Sequence, residues 1–196
     1  MKGKRGTICI GVGLLLLAAA LSLTLYNLWS DKTAGERSQA VLEQIESAAG
    51  GCASTNSAYS LLGSDADMPY QIIDGHACIG ELSISALSLE LPVISEWSYA
   101  NLNVAPCRYA GTVYKRNMVI AAHDYFSHFG TLQNLSLGDE VTFTDIDGNA
   151  FHYEVAELET IDPFDVQGMT SGEWDLTLFT CTISGQARIA VRCDLV

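Results

Sequence analysis

Two residues near the C-terminus have the types and the spacing to do covalent chemistry together. In the segment LTLFTCTISGQARIAVR, residues 176–192, Cys181 closes one apolar run and Arg188 opens the next. A free thiol has a pKa of ~8.5, so little of it is thiolate at neutral pH, and the thiolate is the attacking species. A fixed positive charge held beside it raises that fraction. A cysteine and an arginine brought together therefore suggest a nucleophile. The same two residues also suit a buried structural cysteine beside a surface arginine, and the pair by itself leaves both readings open.

Two strands have to bring these side chains together. Residues 176–181 are uncharged and β-prone, which is the pattern of a buried strand. Ser184-Gly185-Gln186 is a turn signal, and a second strand starts at Arg188. Strands joined by so short a loop pair antiparallel. Cys181 and Arg188 then share one rim of the sheet, on backbones about 5 Å apart. Arg192 lies four residues beyond Arg188 and points to the same side of an ideal strand, so only position along the strand separates them.

From about Tyr70 the chain reads as short strands between turn signals, the texture of an all-β barrel or sandwich. Strands are expected over 79–84 and 89–94. Residues 97–114 read as irregular, with a helical turn near 99–104. Residues 118–122 read as a buried strand that ends at His123, and 126–135 as a short helix or turn. An Asp147-Gly148 turn joins 141–145 to 150–160 as a hairpin. The longest late loop, 161–175, leads straight into the strand that ends at Cys181.

The chain of 196 residues has room for one ordinary domain with an anchor and a stalk. Its formal net charge of −13 leaves no basic patch for phosphates and argues against nucleic acid as a partner. Lys2, Lys4 and Arg5 precede an almost continuous apolar run over 7–26, and no charge appears until Asp31. About 20 such residues span a bilayer as a helix. The preceding basic residues predict a cytoplasmic N-terminus with the rest of the chain outside. Ala18-Ala19-Ala20 would suit a signal-peptide cleavage site, but apolar residues continue to Trp29, too long for a typical signal core. The expectation is a single-pass cell-membrane protein: a cytoplasmic tail over 1–6, a transmembrane anchor over 7–29, an extracellular stalk and linker over 30–69, and the β-rich domain over 70–196. Residues 32–49 are the expected stalk helix, and 50–57, with Cys52, the linker. Cys9 sits in the anchor. Cys78, Cys107 and Cys193 match no zinc spacing. Outside the membrane a disulfide is permitted, and Cys107 with Cys193 is the first pair to test.

Thr177-Leu178-Phe179-Thr180-Cys181 resembles the TLxTC signature of sortases, the cysteine transpeptidases of Gram-positive cell surfaces. Arg188-Ile189-Ala190-Val191-Arg192 is similar to the R-x-x-V-R strand that follows it in that family. Met118-Val119-Ile120-Ala121-Ala122-His123 supplies the histidine that the family carries at the end of an earlier strand. The segment from His123 through Phe129, Leu132 and Leu135 to Gly138-Asp139 also resembles the family's. Ala122 stands where sortases usually have glycine, and the loop from Cys181 to Arg188 looks shorter than in many relatives; the subclass is left unassigned. The resemblance covers roughly 70–196. It implies a sortase-like β-barrel of about seven to eight strands with short helices, following the single N-terminal transmembrane helix.

Under that resemblance Cys181 is the expected nucleophile, His123 the acid and base, and Arg188 the residue that holds substrate and stabilises the oxyanion, with Arg192 as the fallback. Thr180 and Ala122 are the expected substrate contacts. His76, His128 and His152 are alternative bases, with His152 expected to face solvent. Asp124 follows His123 directly and is expected in a loop, since neighbouring strand residues point to opposite faces. The loop 162–175 is expected to wall the groove. Its carboxylates Asp162, Asp165 and Glu173 lack an EF-hand spacing and read as solvated charges, so no metal is expected, and the chemistry needs no cofactor. Asp67-Met68-Pro69-Tyr70 lacks the Asp-Pro-aromatic core of a pilin-type lid and reads as linker. The expected partners are proteins with LPXTG-like sorting signals and an amine acceptor, on a cell-wall precursor or a pilin lysine. Two other readings stand beside it: a secreted cysteine peptidase that uses water, and a barrel that binds sorting signals without turning them over.

Overall fold

The computed structural model describes residues 2–49, 68–171, 173–182 and 184–196. The expected linker over 50–57, with Cys52, lies outside the described residues. Met1–Thr33 and Ala34–Val196 are two compact units. A helix, α1, spans Lys2–Ala49. In the first unit its Ile8, Leu15, Leu17, Leu23 and Trp29 are all exposed, and the helix is long and apolar enough to cross a membrane. In the second unit Ala34, Ser38, Val41, Leu42 and Ile45 are buried, a stripe at helical spacing. Gly35 lies against Ser127, where an added Cβ would come within 2.9 Å of that side chain.

Among the described residues nine strands form one sheet: β1 (Gln71–Ile73), β2 (His76–Ile84), β3 (Leu89–Ile94), β4 (Cys107–Ala110), β5 (Met118–Ala121), β6 (Glu140–Asp145), β7 (Ala150–Ile161), β8 (Leu176–Cys181) and β9 (Arg188–Leu195). Their order is β1-β2-β3-β4-β5-β8-β9-β7-β6, and β2 pairs with β6 as well, which closes eight strands into a barrel. This is the all-β barrel with short helices that the resemblance implies, where the strand texture alone left barrel and sandwich open. Gly80 permits the closure: any Cβ there would meet Thr144 O of β6 at 2.1 Å. β4 forms within the stretch that reads as irregular, in parallel with β3 through the single pair Ile94–Cys107 and antiparallel to β5. Parallel pairs need long crossovers, and the crossover from β5 to β8 carries both the β6–β7 hairpin and the loop before β8.

Alternation along the strands sorts the apolar residues into two clusters. Met118 and Ile120 of β5 and Leu176 and Leu178 of β8 join Ile79, Leu82, Phe143, Tyr153 and Val191 in the barrel interior. Val119 and Ala121 of β5 and Phe179 of β8 face the other way, with Cys78, Ile94 and Cys107. Val41 and Ile45 of α1 cover that outer face, with Leu102 from helix α2 (Tyr99–Leu102) and Met169 from helix α3 (Val166–Thr170). Both faces of the β5–β8 pair are therefore dry, which accounts for their uncharged sequences.

Cys78, Cys107, Cys181 and Cys193 are free thiols. Cys107 belongs to the outer cluster and Cys193 to the interior one, so the sheet stands between the two cysteines that reading by compartment would pair. Met68 is buried in the interior cluster.

Candidate active site

The β8–β9 hairpin pairs Cys181 directly with Arg188 across the ladder. Its loop is tied by Thr182: the amide donates to Ala187 O at 2.9 Å, and the hydroxyl accepts from Ala187 N at 3.2 Å. Gly185 closes the turn through its amide to Thr182 O at 2.7 Å, with φ +69 in the left-handed region that favours glycine. In phase along β8, Thr177, Phe179 and Cys181 face outward, and so do Arg188, Ala190 and Arg192 along β9.

His123 arrives on the neighbouring strand. β5 runs parallel to β8 with Ala121 opposite Phe179, and Ala122 N extends the ladder to Phe179 O at 3.1 Å. Thr180, 2 % exposed, donates its hydroxyl to Ala122 O at 2.9 Å. That bond joins the end of the His123 strand to the end of the Cys181 strand, and Thr180 lines no part of the cleft described below. Ala122 does line it. By alternation with Val119 and Ala121, His123 falls on the outward face with Cys181.

After His123 the chain folds back on itself. Phe129 N donates to His123 O at 3.2 Å, and His128 N and Gly130 N donate to Tyr125 O at 2.9 and 2.8 Å. Gly130 is packed so closely that a Cβ would lie 2.5 Å from Asp124 O. The Tyr125 ring lies 5.0 Å from the His123 ring, centroid to centroid. Burial lowers the His123 pKa from the ordinary histidine value, and the Asp124 carboxylate opposes that shift in part. Burial therefore favours the neutral imidazole, the form able to accept a proton.

Cys181, His123 and Arg188 line one cleft of about 280 Å³. Its floor is Tyr109, Ala121 and Phe179 on the outer face of β4, β5 and β8. One wall carries Trp97, Tyr99 and Leu102, and the other Asp162, Pro163, Asp165, Val166 and Met169. Trp97 stacks edge-on against Tyr109 at 5.9 Å, and Tyr109 edge-on against Phe179 at 5.3 Å. These aromatics sit in or beside the stretch that reads as irregular. Their signal was composition alone: three large rings in 97–109 with no strand periodicity to place them.

The other residues singled out in the sequence fall elsewhere. His76 is half-buried with Nδ1 3.2 Å from Asn101 Oδ1. His128 is fully buried, 5.6 Å from the Tyr125 ring. His152 is exposed on β7, with Nδ1 3.2 Å from Thr142 Oγ1. None of the three lines the cleft. Asp162 and Asp165 accept from Phe164 N and Gly168 N, both at 2.8 Å, which are turn and helix-cap bonds. Among the described residues the only hydrogen bond of the Arg188 side chain is Nη1 to its neighbour Ala187 O at 3.4 Å, so most of its donors remain open. Arg192 is 3 % exposed, ion-paired to Glu159 at 2.7 Å, and absent from the cleft lining.

A family model for the sortase domain matches residues 82–196. Several solved structures share the fold. Sortase C of Streptococcus pneumoniae is 24 % identical, with 61 % of this chain and 68 % of that one aligned at a TM-score of 0.56. The Sortase D5 transpeptidase of Clostridium perfringens is 17 % identical, with 84 % and 99 % aligned at 0.59. Sortase C of Clostridium perfringens, solved with the C-terminal cell wall sorting motif, is 21 % identical, with 65 % and 78 % aligned at 0.54. At these identities the structural likeness speaks for the barrel alone. No curated protein matches the sequence. The family match covers more than half of the chain and contains the whole β8–β9 hairpin, and this chain belongs to the sortase family of cysteine transpeptidases.

Proposed function

We propose that this protein is a membrane-anchored transpeptidase that cleaves an LPXTG-like sorting signal through a thioacyl-enzyme on Cys181 and passes the acyl group to an amine. The observation that carries this reading is the convergence of a thiol, an imidazole and a guanidinium with open donors on one cleft, from three neighbouring strands.

The proposed steps follow from the chemistry of those groups. Cys181 Sγ attacks the scissile carbonyl, the S–C bond forms, and His123 takes the thiol proton. The carbonyl oxygen becomes an oxyanion facing the Arg188 guanidinium, whose fixed charge suits that position. As the C–N bond breaks, His123 returns the proton to the leaving amine. In the second half an incoming amine attacks the thioester, His123 accepts its proton, and the new C–N bond displaces the thiolate, which His123 reprotonates. A neutral imidazole at the start is what both halves require.

The sorting signal and the acceptor rest on the family. The Streptococcus pneumoniae relative was analysed for pilin substrate specificity and the Clostridium perfringens one with a sorting motif, so a cell-wall precursor amine or a pilin lysine is the acceptor proposed here. Lys2, Lys4 and Arg5 ahead of the apolar stretch of α1 support a cytoplasmic N-terminus and an external domain. Enzyme and substrate held at one membrane surface meet at a raised effective concentration.

The test is mass spectrometry of the full chain in detergent micelles with LPXTG-type peptides and an amine acceptor, beside Cys181→Ala and Arg188→Ala. A transpeptidation product that requires Cys181 supports the reading. Cleavage that ignores the amine replaces it with a peptidase using water. A folded, reduced protein that forms neither product nor acyl-enzyme replaces it with a binding barrel.

A further inference from the structure

Resting on that reading of the cleft, we infer that Arg192 is a positioning residue for substrate: it clamps the 162–170 wall to the barrel from below. Its side chain is 3 % exposed, and its donors are spent on β7, on β8 and on α3. Nε donates to Glu159 Oε1 of β7 at 2.7 Å, and Nη1 to Thr177 Oγ1 of β8 at 3.0 Å. Nη1 also donates to Met169 O at 3.1 Å, and Nη2 to Gly168 O at 2.7 Å. One side chain thus links three barrel strands to helix α3 of the wall.

The wall has little else to hold it. Across 162–170 only Met169 is buried, and Asp162, Phe164, Asp165, Val166 and Gln167 are exposed. A helix as short as α3 leaves its last carbonyls without backbone partners inside the helix; Val166 O takes the Thr170 hydroxyl at 2.8 Å, and Gly168 O the Ser171 hydroxyl at 3.4 Å. Asp165 caps its N-terminal end through Gly168 N, and Arg192 takes the carbonyls of Gly168 and Met169. A planar guanidinium suits this task because its donors diverge in one plane at fixed angles, whereas a lysine ammonium is one point charge on a flexible stem. Pro163, Asp165, Val166 and Met169 line the cleft, so whatever fixes α3 fixes the surface that an extended peptide would meet. Cys181 and His123 stand on segments other than α3, and the bond from Arg192 to β8 is at Thr177, four residues before Cys181. The effect should therefore fall on binding, because a wall ordered in advance spares the substrate the cost of ordering it.

The experiment uses the full chain in micelles as wild type, Arg192→Lys, Arg192→Met and Glu159→Gln. For Arg192→Met the KM for the sorting peptide is expected to rise about tenfold or more, with kcat changed less. Hydrogen exchange of the 166–170 amides is expected to quicken. Arg192→Lys should recover part of both. The pH profile of Cys181 alkylation by iodoacetamide should match wild type in every variant. An unchanged KM overturns the proposal whatever the exchange shows, and a displaced alkylation profile overturns it by placing Arg192 in the thiol chemistry. Should Arg192→Met fail to fold, Arg192→Lys and Glu159→Gln decide by the same readouts. A wild type that turns over no peptide sinks the transpeptidase reading instead; exchange then decides alone, and wall amides as protected in the variants as in wild type overturn the clamp.

Discussion

The two ends of the β8–β9 hairpin contain the same residue types in opposite states. At the rim Cys181 is opposite Arg188, both half-exposed to the cleft. Toward the base Cys193 is opposite Leu176, and Arg192 opposite Thr177, both buried. Burial pushes the Cys193 thiol up to about 12, with Asp194 adding to it. Arg192 has spent its donors on Glu159, Thr177 and α3, whereas those of Arg188 are largely open. Neither thiol nor guanidinium is reactive by type alone. Which thiol and which guanidinium stay accessible follows from what packs over each pair: the barrel interior covers Cys193 and α3 covers Arg192, whereas Cys181 and Arg188 open on the cleft.

That contrast breaks most visibly at the thiols. A thiol at about 12 is thiolate in roughly one molecule in 10⁵ at pH 7. In the native protein iodoacetamide should modify Cys181 and leave Cys78, Cys107 and Cys193 intact until the chain unfolds; peptide mapping reads this. Labelling of Cys193 at the rate of Cys181 would end the comparison.

The arginines come next. Arg188→Ala should lower turnover ~100- to 1000-fold, as loss of an oxyanion donor does, while thermal melting stays near wild type. Arg192→Met should instead lower stability by about 2–4 kcal/mol, because two wall carbonyls and Glu159 lose a buried partner. Denaturant titration measures this. Equal losses of stability in the two variants would mean that the fold leans on the rim arginine no less than on the one at the base.

A smaller effect is expected where the histidine loop closes. Gly130→Ala puts a methyl 2.5 Å from Asp124 O and should cost about 1–3 kcal/mol, with activity falling as His123 shifts. The smallest concerns protonation. The imidazole of His123 titrates below the ordinary histidine value because burial disfavours its charged form, and Asp124 favours that form. Asp124→Asn should therefore move the midpoint lower still by NMR titration. The folded pKa lies below the unfolded one, so the contribution of His123 to stability is present above ~6.5 and is lost as pH falls through the folded midpoint. Asp124→Asn should deepen that acid loss.

Much of this was legible from residue order. The bounds 176–181 and the start of a strand at Arg188 are found as expected, because an uncharged β-prone run ended by a turn has few other solutions. The Asp147-Gly148 hairpin was equally plain. β4 was not: Cys107–Ala110 is four residues long with a bulge against β5, too short for alternation to show. Helix α3 was hidden for the same reason, at five residues. His123 was legible only through resemblance, since the end of a strand looks alike whichever face its last side chain takes.

The sequence by itself determined the local elements, the apolar helix ahead of the domain, and a thiol and guanidinium meeting across a short hairpin. Those depend on periodicity and turn chemistry, which act over a few residues. Tertiary structure decided which arginine is available and which histidine shares a face with Cys181. It also decided that the sheet separates Cys107 from Cys193. Arg188 and Arg192 are in phase on one strand and differ only in what packs over them. That cover comes from α3 and β7, distant in sequence, so no local pattern around either arginine could record it.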